Sequence, residues 1–180
     1  MKKILITLLF LSVFSNAAYL NSSPSTPNID NWKTLNTDLF RINYPSDWEV
    51  DDSGKMGTSF FLYSPMKGGA DNFMENVNMM YQDLNTYDVT FDEFVKQSEE
   101  QVANMLTDGE LEKSEKIERN GQSIHKLVFT GKQGVLDLKF VQYYLLKNSN
   151  VYFLTLSCEV SEFENYKEIG EGILDSFVLK

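Results

Sequence analysis

The alternation of hydrophobic and polar positions along the chain predicts a series of β-strands. Phe40–Tyr44 alternates apolar and polar residues, which is the pattern of a strand with one buried face. Pro45 then ends this strand, and the Ser46–Asp47 pair favours a turn. Further predicted strands are short runs of apolar, aromatic and β-branched residues at 48–50, 58–63, 76–81, 111–118, 124–130, 135–146 and 151–159.

Two segments have helical spacing instead. The first begins at Thr90, which forms a capping box with Glu93, and ends at Asp108–Gly109. The second closes the chain and is predicted to begin at Ser161, which has Glu164 three residues later. Each segment collects its apolar residues on one face: Phe91, Phe94, Val95, Val102, Met105 and Leu106 in the first, and Phe163, Tyr166, Ile169, Ile173 and Leu174 in the second.

The connections between strands decide the fold class. Asn120–Gly121 is a strong hairpin signal, and short connections between successive strands predict one mostly antiparallel sheet. Segments 135–146 and 151–159 are apolar on both faces, Val135 included, so both faces of these central strands should be covered. The predicted fold is α/β (α+β): an α/β/α sandwich whose central antiparallel sheet is flanked by helices on both faces.

The amino terminus has the composition of a secretory signal peptide. Lys2–Lys3 is followed by an apolar run at 4–14, which is too short to span the roughly 30 Å core of a bilayer. Small residues before position 18 fit a cleavage site after Ala17. We therefore predict a signal peptide at 1–17, a flexible lead-in at 18–31 and one domain at 32–180, in the periplasm or outside the cell. No stable membrane insertion is expected after cleavage.

Charge narrows the classes of partner. The chain carries a formal net charge of −10, which repels nucleic-acid phosphates and favours basic proteins or cations as partners. The same charge also serves solubility. Hydrophobic residues make up 42% of the chain, which is enough for a substantial core.

Three segments in this order resemble the PsbP-like family. They are residues 40–48 (FRINYPSDW), residues 61–83 with a Ser64–Pro65 stop and a glycine-containing loop, and residues 152–177 with a last strand and a closing helix. The resemblance covers 31–180 and implies an α/β/α sandwich that acts by binding without catalysis. Family members include extrinsic photosystem II subunits and exported bacterial proteins, and a fold relative binds the Ran GTPase. The basic patches expected for docking on photosystem II are missing here, and no functional residue is carried over.

The candidates for catalysis are few. His125 is the only histidine, so a multi-histidine metal site is excluded, and alternation places it in a strand as a partly buried residue. Cys158 is the only cysteine, lies at the end of a core strand and is predicted to be a buried, inert thiol. We therefore predict no catalytic, cofactor or metal residues, and a protein that is not an enzyme.

One loop is the best candidate for contact with a partner. Methionine side chains adapt to different binding surfaces, and the loop around the Gly68–Gly69 pair is rich in them. The predicted contact residues are Met66, Gly68, Gly69, Phe73 and Met74.

The sequence thus favours an exported, non-enzymatic accessory protein that engages a protein partner outside the cytoplasm. Two alternatives stay open. Acidic loops at 51–54, 71–72 and 83–88 could bind calcium or a small ligand, and a pair of carboxylates could serve a hydrolase.

Overall fold

A seven-stranded sheet, in which every pairing is antiparallel, forms the centre of the fold. The structure is a computed structural model, and it describes residues 31–68 and 73–180. The predicted signal peptide and the lead-in up to residue 30 lie outside the described residues. Strands β1 to β10 span Trp32–Asn36, Phe40–Pro45, Glu49–Asp51, Phe60–Tyr63, Asn76–Asp83, Thr107–Arg119, Gln122–Gln133, Leu136–Lys147, Asn150–Glu159 and Val178–Leu179, and helices α1 and α2 span Phe91–Met105 and Phe163–Asp175.

The strand order of the large sheet is β3-β4-β5-β9-β8-β7-β6. The last four strands in the chain before α2 form a meander, and the turn at Asn120–Gly121 joins two of them with positive φ angles of 51° and 71°. These angles match the two-residue turn that the sequence predicts. The mixed α/β class and the antiparallel sheet are therefore confirmed.

A second, three-stranded sheet departs from the prediction of one sheet. Strand β2 pairs with β1 and β10 and has no place in the large sheet. Val178↔Arg41 and Leu179↔Phe40 are the paired positions that join the end of the chain to β2. The two-residue strand β10 exists only through this long-range pairing, which local periodicity does not reveal.

The helices begin differently from one another. The Thr90 hydroxyl accepts from the Glu93 N–H at 3.2 Å and the Glu93 carboxylate accepts from the Thr90 N–H at 2.8 Å, so the first capping box is confirmed. The second predicted capping box is wrong, because α2 begins after Glu162 and no side chain caps it. The Glu162 N–H donates to the Glu159 carbonyl at 3.0 Å, and this turn takes up Ser161 before the helix starts.

Two clusters of buried side chains fill the interior. The cluster that contains α2 residues takes Val141, Tyr143 and Leu145 from β8. The cluster that contains α1 residues takes alternate β8 positions, Phe140 and Tyr144 among them. Successive side chains of a strand point to opposite faces, so the two clusters draw on different faces of β8.

Candidate partner-binding surface

Loops gather at one end of the large sheet. Three connections lie at the same end of the strands, as the paired positions Tyr63↔Asn76, Gln133↔Leu136 and Leu138↔Glu159 show. These are the β4–β5 loop at 64–75, the β7–β8 turn at 134–135 and the β9–α2 junction at 160–162. We call this end of the strands the loop end of the sheet. It includes the segment that the sequence favours for contact.

A cleft of about 530 Å³ opens at the loop end. Its apolar part includes Val135, whose exposed fraction is 97%, and Val160, whose exposed fraction is 46%. Its charged residues are Asp108, Lys132, Asp137 and Glu159, and the other lining residues are Thr130, Gly131, Leu138 and Ser161. We call the whole cleft the acidic cleft. Concave surfaces with apolar walls and a few polar groups are the usual form of ligand sites.

The single lysine of the acidic cleft is shared by two carboxylates. The Lys132 Nζ lies 2.8 Å from the Asp108 carboxylate and 3.8 Å from the Asp137 carboxylate. The bond with Asp108, together with both acidic charges, raises the pKa of Lys132 above its ordinary value. Two carboxylates close to one ammonium group leave a net negative charge in the cleft, which favours a cationic ligand.

The β4–β5 loop is held to the body of the protein at several points. At its base, the Ser64 N–H donates to the Glu75 carbonyl at 2.8 Å. Along the loop, Lys67 forms an ion pair with Glu162 at the start of α2, and its ammonium lies 4.4 Å from the centroid of the Tyr166 ring. Glu162 follows directly on the Ser161 of the acidic cleft, so the loop and the cleft are neighbours.

The predicted contact residues of this loop fall into three groups. Met66, Gly68 and Met74 are partly exposed, so their role in partner contact stays a prediction. Gly69 lies outside the described residues. Phe73 has an exposed fraction of only 2% and belongs to the cluster that contains α1 residues. In this structure its side chain therefore anchors the loop to the core.

The lone histidine takes part in a three-residue hydrogen-bond network. The Ser114 Oγ lies 2.5 Å from the Glu99 carboxylate and 2.7 Å from the His125 Nε2. A hydroxyl has one proton, so donation to the carboxylate leaves the Ser114 oxygen to accept from the ring N–H. In a hydrolase triad the acid orients the other ring nitrogen. Here the acid contacts the serine, and the network joins α1, β6 and β7.

Burial lowers the pKa of His125 below its ordinary value, although the Glu99 carboxylate acts in the opposite direction. The unfolded chain therefore binds the proton first as the pH falls below about 6.5. We expect the melting temperature of the wild-type chain to fall between pH 7.5 and 5, and to fall less for His125→Gln. Thermal melts at half-unit pH steps measure this difference, and parallel curves for the two chains would contradict it.

Cys158 is buried, with an exposed fraction of 0%. Burial raises the pKa of its thiol well above the ordinary value, and the carboxylates of Glu75 and Glu162 add to the effect. The group therefore stays a neutral thiol at physiological pH, as the sequence predicts for a core residue.

Of the acidic loops considered for calcium, 71–72 lies outside the described residues, and the other two form contacts of their own. Asp51 lies 2.7 Å from the Lys55 Nζ and accepts from the Ser53 N–H, and the Lys55 bond above all lowers the pKa of Asp51 to about 2. Asp83 accepts from the Asn85 N–H at 2.9 Å. Among residues 31–68 and 73–180, no group of three or more His, Cys, Asp or Glu residues is arranged to hold a metal ion.

Sequence reasoning misses the acidic cleft. It assigns Val135 to a covered face of a central strand, and this is wrong, because the residue lies in the turn before β8. The preceding Gly134 has a φ of 61°, which is turn geometry. A glycine directly before an apolar run is the local signal that could have moved the strand start by one residue.

Comparisons with known proteins show the fold. The solution structure of cyanobacterial PsbP (CyanoP) from Synechocystis matches with a TM-score of 0.62 at 14% identity, over 88% of this chain and 98% of that chain. The crystal structure of PA94 from Pseudomonas aeruginosa, described as a protein of unknown function and putative regulator, matches with a TM-score of 0.59 at 15% identity, over 83% and 98%.

A third match is a mycobacterial protein. The crystal structure of LpqN, which is involved in cell envelope biogenesis of Mycobacterium tuberculosis, has a TM-score of 0.60 at 12% identity, over 83% of this chain and 90% of that chain. No family model matches the sequence, and no curated protein matches it. Within the described residues, no helix is long and apolar enough to cross a membrane.

Proposed function

We propose that this chain is an exported, non-enzymatic accessory protein that binds a basic segment of a protein partner in the acidic cleft. In this proposal the signal peptide at 1–17 is cleaved, residues 18–31 are a flexible lead-in, and 32–180 act as one domain in the periplasm or outside the cell. Helices α1 and α2 lie on opposite faces of the large sheet as an α/β/α sandwich, which the two core clusters support.

The composition of the acidic cleft is the observation that carries the proposal. Val135 and Val160 offer apolar contact area, and Asp108 and Asp137 add more negative charge than Lys132 balances. A partner segment that inserts an apolar side chain between lysines or arginines would match both features. The partly exposed Met66 and Met74 of the neighbouring β4–β5 loop extend the surface with adaptable side chains.

The structural relatives support the class of protein. CyanoP, PA94 and LpqN share the fold, and none of them is described as an enzyme. The description of LpqN places that protein in envelope biogenesis, which agrees with export of the present chain. At these identities the likeness concerns the fold, so the partner has to be found by experiment.

A double variant of the cleft tests the proposal. Val135→Ser with Asp137→Lys removes one apolar contact and reverses one charge at two exposed positions. We expect this variant to recover at least about tenfold less of the partner from the native cell envelope than wild type, since hydrophobic and charged contacts are lost together. Quantitative mass spectrometry after affinity purification at low and high salt measures the recovery.

A matched pair at the other end of the molecule is the control. Asp38→Lys with Leu39→Ser also combines an acid with an exposed apolar residue, whose exposed fraction is 58%. This variant should recover the partner as wild type does, and salt should release the partner from wild type. Equal recovery by both double variants would refute binding at the acidic cleft.

A further inference from the structure

The large sheet is open between β7 and β8 at the end opposite the acidic cleft. The pairing of these strands stops at His125↔Tyr144. Beyond that point Gln122–Ile124 pair with β6, and Leu145–Lys147 pair with β9. We call the space between these two segments the β7–β8 gap.

The first side chain of β7 is hydrogen-bonded to the carboxyl-terminal segment. The Gln122 side chain donates to the Phe177 carbonyl at 3.0 Å and accepts from the Leu179 N–H at 2.9 Å. These two bonds connect the β7 side of the gap to β10. Backbone groups of an antiparallel strand point alternately to its two neighbours, so some N–H and C=O groups of both segments face the gap without a paired strand.

A cavity of about 340 Å³ lies at the gap. This volume falls in the lower part of the range of small-molecule sites, which is about 300–1,000 Å³. Phe91, Leu146 and Leu179 contribute apolar walls. The exposed fraction of Leu146 is 49%, which is high for a leucine in a central strand.

Lysines line this cavity in an otherwise acidic chain, and each of the two already contacts one oxygen. The chain has 26 acidic residues against 16 lysines and arginines, yet the described residues that line this cavity include Lys116 and Lys147 and no carboxylate. Lys116 pairs with Asp92 at 3.3 Å, but the side chains are 65% and 77% exposed, so the pair is weak. Lys147 donates to the backbone oxygen of Lys180.

We infer that the β7–β8 gap binds a small molecule that carries a carboxylate on an apolar body. The two lysines attract the carboxylate, the unpaired backbone N–H groups donate to it, and the apolar walls cover the hydrocarbon part. This site is separate from the acidic cleft and does not depend on the function proposed above.

Octanoate is the probe for this site. We expect a titration of ¹⁵N-labelled protein to shift the backbone amide signals of 122–124 and 145–147, with a Kd on the order of millimolar, as suits a ligand of this size. Octanol at the same concentrations is the control, because it has the same number of carbon atoms as octanoate but no carboxylate charge. Equal shifts with octanol, or no saturable shifts at these six positions, would overturn the inference.

Two variants and a control localise the effect. Lys116→Gln with Lys147→Gln should weaken octanoate binding at least about fivefold, because two charge contacts are lost. Lys167→Gln removes an exposed lysine of α2 and should leave the affinity unchanged. Ser123→Trp, at an exposed position in the cavity wall, should abolish binding by filling the space. Octanoate affinity that is unchanged in both gap variants would contradict the assignment.

Discussion

Phe94→Ala is expected to lower the free energy of unfolding by about 3–5 kcal/mol, which is the usual cost of removing a fully buried phenylalanine. The exposed fraction of Phe94 is 0%. Its ring packs edge to face against the Tyr144 ring, with 6.0 Å between the ring centroids, and its centroid lies 6.4 Å from that of the Phe153 ring. The side chain therefore fixes α1 to β8 and β9, and its loss leaves a cavity between helix and sheet.

Urea unfolding with an unchanged m-value measures this loss. Met105→Ala on the same helix is the control, because the exposed fraction of Met105 is 54%, and its effect should stay within about 0.5 kcal/mol. A loss for Phe94→Ala below about 1.5 kcal/mol would contradict the packing of α1 described above. The total free energy of unfolding of a native protein is about 5–15 kcal/mol, so the expected loss is a large part of it.

Phe73→Ala is expected to cost about 3–5 kcal/mol as well, although Phe73 lies in a loop. Its side chain is buried in the cluster that contains Phe94, so it belongs to the core and not to the loop surface. Removing it should also loosen the β4–β5 loop and increase protease cleavage there. Denaturant unfolding and limited proteolysis of the same samples measure the two effects.

Met74→Ala is the matched control for this loop. Met74 is adjacent in sequence but partly exposed, so we expect it to cost under about 1.5 kcal/mol. The two variants separate anchoring from binding, because a partner-contact role would appear in Met74→Ala without a large loss of stability. Similar losses of stability in the two variants would refute the anchoring role of Phe73.

Local chemistry predicts much of the fold. The Thr90 capping box and the Asn120–Gly121 turn depend on residues close in sequence, and both are found in the structure. The α2 start is missed because the chain turns tightly after β9 and Lys67, from a distant loop, pairs with Glu162. Strand β10 is missed because only pairing with β2 makes it a strand.

The candidate surfaces were less accessible to prediction. The β4–β5 loop can be identified from its methionines, but the burial of Phe73 depends on helix α1, far along the chain. The acidic cleft combines Asp108 of β6, Lys132 of β7, Val135 of the β7–β8 turn and Glu159 of β9, and only the strand register brings them together. The β7–β8 gap likewise depends on where pairing stops, which periodicity alone does not specify.

A photo-crosslinking amino acid at Val135, introduced into the exported protein in its native envelope, tests the proposed function most directly. We predict a crosslink to a lysine- or arginine-rich segment of one protein, and its weakening by Asp137→Lys. The same group at Tyr81, whose exposed fraction is 58%, should not give that product. Identical products from both positions, or a crosslink that is insensitive to Asp137→Lys, would contradict partner binding in the acidic cleft.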